Sequence, residues 1–367
     1  MNDKKINALI IIDSLGIGGA EVSLKTMSKT MVDMGHNVVV LVIRSETILD
    51  LDERVSVEIL GYKKYRYLPS TYMNAMRMNK FVRNLEAKYG RFQLKIANLT
   101  LSHKLAHLSG LSDVYYCIHE NIIASNLVNR TGIKRYARES RIRRLYNNKD
   151  IICVSDGVKD SLKVIQGLHC RSVKTIYNAI DMEVINNLSE ACNPYRKIQY
   201  IVHVGRFSVR QKRHDILLAA YKKLCPDYKL VLVGDGPDRS CIVNKIHQMK
   251  LENRVVLEGF SNNPYPIIRG ATLLILSSDY EGFGVVLAEA LCLDTAVVST
   301  DCESGPSEIM VSSLSDYLVK TGDADALAIK MKKAIVDVEN DQYPFESAAM
   351  ERFLPAIVVR QYIDLAN

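Results

Sequence analysis

Short runs of consecutive apolar residues alternate with longer segments that are apolar on one side only, and this alternation runs the length of the chain. The runs at 8–12, 38–43, 55–59, 94–97, 114–118, 151–154 and 173–176 are strand-length and predict a first set of buried strands. A second set is predicted at 200–204, 230–233, 255–257, 271–276, 296–299 and 317–319. Segments of helical period fall between many of them, including 20–34, 214–224 and 240–249. Strand–helix alternation of this kind implies parallel sheets with helices on both faces. Two sets imply two doubly wound domains. The polar stretch 187–197, which contains Pro194, separates them. The expected division is an N-terminal domain over 1–187, a C-terminal domain over 188–345 and a closing amphipathic segment over 346–367 that contains Pro355.

Apolar residues make up 48% of the chain, enough for each half to bury its own core. No apolar run approaches the ~18–20 residues that a spanning helix needs. The first twelve residues carry Lys4 and Lys5, lack the long apolar core of a signal peptide and read as a first strand. None of the cysteines (Cys117, Cys153, Cys170, Cys192, Cys225, Cys241, Cys292 and Cys302) falls in a C-x-x-C pair. Reduced thiols are expected, with no disulfide framework and no zinc site. Together these features predict a cytosolic protein, or one bound to the cytosolic face of a membrane.

Charge sharpens the picture. Residues 1–183 carry a net charge of +10 and the remainder −3, so the basic character belongs to the first half, which should meet an anionic partner. Two stretches hold much of the excess. One, 130–149, has eight Lys or Arg against the single acid Glu139. The other, 62–83, interleaves six Lys or Arg with Tyr62, Tyr65, Tyr67, Tyr72 and Phe81. Basic residues among aromatics suit an anionic membrane surface or single-stranded nucleic acid, and equally a solvated basic face.

The candidate chemistry gathers where predicted strands end. After the run 271–276 comes Glu281-Gly282-Phe283-Gly284-Val285, then a helical segment carrying Glu289. A glycine turn entering a helix offers backbone N–H groups to a phosphate, and a carboxylate further along can accept from hydroxyls. That combination suggests a nucleotide-sugar site. After the run 200–204 come Gly205, Arg206 and Lys212, placed either to face a diphosphate or to form an exposed basic loop. Gly234, Gly236 and Pro237 line a base pocket or simply make a turn. Ser304, Gly305, Pro306 and Glu308 form a further strand–turn–helix. In the first half, Gly16, Gly18 and Gly19 form a glycine-rich turn without the G-x-G-x-x-G spacing. His119 ends the run 114–118, where it could bond a sugar or serve structure. His103 and His107 share a helix face but lack the H-E-x-x-H glutamate, which disfavours a zinc site.

Taken in order, these pieces resemble the GT-B glycosyltransferases of the large retaining group called family 4. The resemblance covers nearly the whole chain and is strongest over 151–309, where Tyr177, Asn178 and Asp181 add to the pattern. It implies two Rossmann-like domains facing a cleft, with the acceptor on the N-terminal domain, the nucleotide-sugar on the C-terminal domain and the last segment crossing back. By resemblance, Arg206 and Lys212 bind the donor diphosphate, Glu289 the ribose, and Glu281 and His119 the donor sugar. Gly205 and the backbone of Gly282, Phe283, Gly284 and Val285 meet the phosphates, as do Gly18 and Gly19. The implied reaction is metal-independent, front-side transfer with retention. The donor would be a UDP-sugar and the acceptor a lipid-linked or otherwise membrane-associated bacterial glycan, on the inner face of the cell membrane. No cofactor and no nucleic-acid partner are expected. Residues 47–111 match no motif, so the acceptor stays open. Rival readings are a UDP-sugar 2-epimerase, disfavoured by the Arg206, Lys212, Glu281 and Glu289 arrangement, and a non-catalytic sugar-nucleotide-binding subunit.

Overall fold

The computed structural model describes residues 4–366 apart from 17, 46–48, 129, 225 and 226, so Cys225 lies outside the described residues. The chain forms two compact units, one of Met1–Ala179 with Phe353–Asn367 and the other of Ile180–Arg352.

The first unit is built on a seven-stranded parallel sheet. Its strands are β1 (Asn7–Ile12), β2 (Asn37–Val42), β3 (Ser56–Ile59), β4 (Leu94–Asn98), β5 (Val114–Ile118), β6 (Asp150–Cys153) and β7 (Ser172–Thr175). Their spatial order is β3-β2-β1-β4-β5-β6-β7. Ala8 through Ile12 of the central β1 are fully buried, as a strand covered on both faces requires. The order reverses direction at β1, the place where open α/β sheets bind ligands at strand C-termini.

The second unit carries a six-stranded parallel sheet. Its strands are β8 (Tyr200–Val204), β9 (Lys229–Val233), β10 (Val255–Gly259), β11 (Leu273–Leu276), β12 (Ala296–Thr300) and β13 (Leu318–Val319), in the order β10-β9-β8-β11-β12-β13. Its switch point lies between β8 and β11. Leu273 to Leu276 are wholly buried.

Both sheets agree with the hydrophobic pattern, and the differences lie at edges. The division falls between Ala179 and Ile180, ahead of the expected 187, because the helix Met182–Ser189 packs on the helices Tyr265–Arg269 and Val285–Cys292 of the second unit. The closing segment is not one helix. A 3-10 stretch, Ser347–Phe353, is followed by the α-helix Pro355–Ile363. Pro355 sits at the first helical position, where its missing N–H costs nothing. That helix packs on Gly19–Asp33 of the first unit and buries Val358, Val359 and Ile363. Tyr317 belongs to a 3-10 turn and not to β13.

Candidate functional site

In the second unit, the loops after β8, β11 and β12 are stitched together at the strand C-termini. The Asp279 N–H donates to the Gln211 carbonyl at 2.8 Å. Ser277 Oγ donates to the Lys212 carbonyl at 2.7 Å, and Thr300 Oγ1 to the Ser278 carbonyl at 2.6 Å. Arg213, in the left-handed conformation with φ 47°, bridges Asp215 and Asp279. The Phe207 N–H donates to the Asp235 carbonyl at 2.9 Å, so the Gly234–Gly236 turn supports the loop that carries Arg206.

This stitching brings Lys212 and Glu281 together. Lys212 Nζ donates to Glu281 Oε1 at 2.7 Å, with only 13% and 8% of the two side chains exposed. Ser278 Oγ donates to the same carboxylate oxygen at 2.5 Å, and Ser304 Oγ to the Glu281 carbonyl at 2.9 Å. Two charges leave water here, which is tolerable because each has a partner and the carboxylate has a second donor. An ammonium has three protons, so Lys212 keeps donors for a ligand. The Gly205 Cα lies under the Lys212 stem: a Cβ there would stand 3.2 Å from Cε. Arg206 is exposed beside them.

The turn beyond Glu281 demands glycine at two places. Gly284, at φ 84° and ψ 44°, is the N-cap of the helix Val285–Cys292. Gly305 has φ 95°, and a Cβ there would fall 1.9 Å from the Phe283 carbonyl oxygen. The β12 loop thus presses directly on the turn. Glu308, three residues on, caps it by accepting from the Gly305 N–H at 3.4 Å.

Glu289 lies one turn into the Val285–Cys292 helix, where Tyr265 donates to its Oε1 at 2.9 Å. Burial pushes this carboxyl up to about 7, and the Tyr265 hydrogen bond only partly opposes the shift.

Gly18, Gly19 and His119 belong to the first unit, and the other nine expected site residues to the second. Gly18 precedes the helix Gly19–Asp33, and its carbonyl accepts from the Val22 N–H at 3.0 Å. Asp13, at the end of β1, accepts from the N–H groups of Leu101 and Ser102 and from the Ser102 hydroxyl. Asn98 pairs with Cys117 in the β4–β5 register, which brings the His119 ring to it. Asn98 Nδ2 donates to the Ile11 carbonyl, so Oδ1 accepts from His119 Nε2–H at 2.8 Å. Burial, with His103 adding to it, holds His119 down at about 3. The ring is therefore neutral, and its Nδ1 is buried with a lone pair and no protein partner among the described residues. His103 is committed to structure, bonding the Ala97 carbonyl and Tyr146 hydroxyl at 2.9 Å each.

Sequence reasoning missed three groups. Ser278 stands three residues before Glu281 and was legible in principle. Tyr265 carries no local signal, because its partner lies 24 residues away, and Arg213 shows only its neighbour Asp215, its Asp279 partner lying 66 residues away.

Two parallel α/β units, with a glycine turn, a Lys–Glu pair and a helix-borne glutamate in the second, have the GT-B architecture. Residues 17–184 match the family described as Glycosyltransferase Family 4, and residues 184–349 match Glycosyl transferases group 1. The chain belongs to these group 1 glycosyltransferases. Among curated relatives it is 32% identical over 194 residues to a Campylobacter jejuni enzyme, covering 53% of each chain. That relative is N-acetylgalactosamine-N,N'-diacetylbacillosaminyl-diphospho-undecaprenol 4-alpha-N-acetylgalactosaminyltransferase. The chain is 24% identical over 217 residues to lipopolysaccharide 1,6-galactosyltransferase of Salmonella typhimurium, covering 58% of this chain and 59% of that one. The chain spans about half the length of the curated relatives it matches. Among solved structures, Anabaena HepE with UDP and glucose has the same fold, with a TM-score of 0.77 at 20% identity over 97% of this chain and 98% of the other.

Proposed function

We propose that the chain is a retaining glycosyltransferase that moves a sugar from a UDP-sugar to a membrane-associated bacterial glycan acceptor of O-antigen, capsule or lipopolysaccharide type. The observation that carries this reading is the buried Lys212–Glu281 pair beside the Gly282–Gly284 turn, with Glu289 one turn into the following helix. In this reading Arg206, Lys212 and the backbone of residues 282–285 hold the diphosphate. Glu289 accepts from the ribose hydroxyls, and Glu281 and His119 contact the donor sugar. Gly18, Gly19 and Gly205 leave room for the phosphates. As the glycosidic bond breaks, its electron pair passes to the leaving phosphate oxygen, and the two cations stabilise the growing charge. The acceptor hydroxyl attacks from the same face and gives its proton to that phosphate. No side-chain nucleophile, metal ion or cofactor enters these steps.

UDP as the nucleotide is supported by its presence in the Anabaena protein of the same fold. A lipid-linked or lipopolysaccharide acceptor is supported by the names of the Campylobacter and Salmonella relatives. Association with the inner face of a membrane is supported by the first unit's surface. Tyr67 and Ile133 are 84% and 87% exposed within the two basic stretches. Among the described residues no helix is long and apolar enough to cross a membrane.

The test incubates the protein with UDP-sugars and extracted lipid-linked acceptors in EDTA. UDP release is expected, with a product that keeps the donor's anomeric configuration by NMR. No nucleotide release with any donor would sink the reading, and an inverted product would overturn retention. Cosedimentation with phosphatidylglycerol vesicles tests the membrane. Binding should weaken with salt and fall when Tyr67 and Ile133 are both replaced by Ser.

A further inference from the structure

The first unit holds a cavity of about 190 Å³ between the helices Thr100–Ser109, Ile122–Asn126 and Gly132–Tyr146 and the C-terminal end of β5. Its volume equals about six waters at ~30 Å³ each, on the order of one sugar ring. Ile118, Ile122, Ile142 and Leu145 form an apolar lining. The polar lining is unbalanced in charge: Lys104, Arg138 and Arg141 stand against the single carboxyl of Glu120. Arg138 and Arg141 are three apart on one helix and so share a face. Arg138 is oriented by Asn126 Oδ1, which accepts from its Nε and Nη2 at 3.2 and 2.6 Å. Lys104 and Arg141 are exposed. His119 also lines the cavity.

A half-open pocket with an apolar side suits the face of a sugar ring. Cations converging from two helices suit a phosphoryl group, and a guanidinium fork matches phosphate geometry. We propose that this cavity seats the acceptor as a phosphoglycoside, with its terminal sugar beside His119 and Glu120 and its phosphoryl or diphosphoryl group on Lys104, Arg138 and Arg141. This rests on the reading that the chain is a glycosyltransferase whose acceptor is bound by the first unit.

The test is calorimetry on the full chain with the donor site saturated by UDP, so that added diphosphate reports a second site. Inorganic pyrophosphate and geranyl diphosphate are titrated separately. Both should bind saturably, and the joint substitution Lys104→Ala with Arg141→Ala should weaken both at least tenfold. UDP affinity should stay unchanged, and Lys80→Ala, an exposed lysine of another helix, should leave pyrophosphate binding intact. Geranyl diphosphate binding tighter than pyrophosphate supports a lipid-linked acceptor, and equal affinities support a soluble phosphorylated one. No saturable binding in the presence of UDP overturns the proposal, as does equal weakening by Lys80→Ala. Failure of UDP itself to bind would sink the donor reading, which the cavity variants do not touch.

Discussion

At the scale of single residues, Lys212 and Glu289 carry the clearest consequences. Lys212→Ala removes the partner of a buried carboxylate and, in the proposed mechanism, the cation that meets the leaving phosphate. Turnover should fall by at least ~100-fold, the cost of losing one preorganised charge donor. Stability should also drop, by roughly 3 kcal/mol, because Glu281 would remain buried and unpaired. The double variant Lys212→Met with Glu281→Gln separates the two effects, restoring the melting temperature without restoring turnover. Full complementation of a deletion strain by Lys212→Ala would instead favour a binding subunit over an enzyme. Glu289 makes a pH prediction. Its carboxyl is raised from 4.5 to about 7 in the fold, so its ionisation opposes folding. That penalty is absent below about pH 4.5, grows up to about pH 7 and is complete above it. Glu289→Gln should therefore melt higher than the parent at pH 8 and close to it at pH 4.5. If ribose hydroxyls donate to the carboxylate, UDP affinity relative to the Gln variant should fall about tenfold between pH 8 and pH 6.

At the scale of elements, the turn between β11 and its helix depends on backbone that only glycine adopts easily. Gly284 is held in the left-handed region, but the nearest atom to an added Cβ is the Leu287 methyl at 3.6 Å. Gly284→Ala should therefore cost only the conformational strain, roughly 1–2 kcal/mol. Gly305→Ala adds a collision with the Phe283 carbonyl oxygen to similar strain, and should cost more. Urea denaturation should rank the two in that order. Gly305→Ala should also weaken UDP binding, because the 282–285 backbone must move to relieve the contact. Equal costs for the two would mean that the loops adjust freely and that the turn is not held in place by β12. The turn was legible because Gly-Phe-Gly between a strand and a helix is a local pattern. The pressure of Gly305 on it was not, since the two are more than twenty residues apart.

At the scale of the whole molecule, the last helix belongs to the first unit although the whole of the second unit lies between them in sequence. Val359 is fully buried, Val358 and Ile363 are 1% exposed, and Tyr362 lies 3.8 Å from the Cys117 Sγ of β5. Each such aliphatic side chain contributes about 1.5–3 kcal/mol by burial. Removing residues 354–367 should therefore unfold or aggregate the first unit while the second keeps its fold. Hydrogen exchange should show β1 and β5 losing protection and β8 and β11 retaining it. Uniform loss across both sheets would mean that the units fold as one.

Local pattern was enough to find thirteen strands, two α/β sets and the loops that carry chemistry. A buried parallel strand is apolar along its whole length, and a turn that needs left-handed backbone favours glycine, so both leave contiguous marks in sequence. Pairings between those loops leave none. Lys212 meets Glu281, Tyr265 meets Glu289 and His119 meets Asn98 only after parallel register has brought separate strand ends side by side. The protonation of Glu289 and the neutrality of His119 likewise depend on burial, which no residue possesses alone. The return of the closing helix to the first unit was expected from the family resemblance and not from its own pattern. Its amphipathic pattern says that one face must be covered, and the fold alone decides by what.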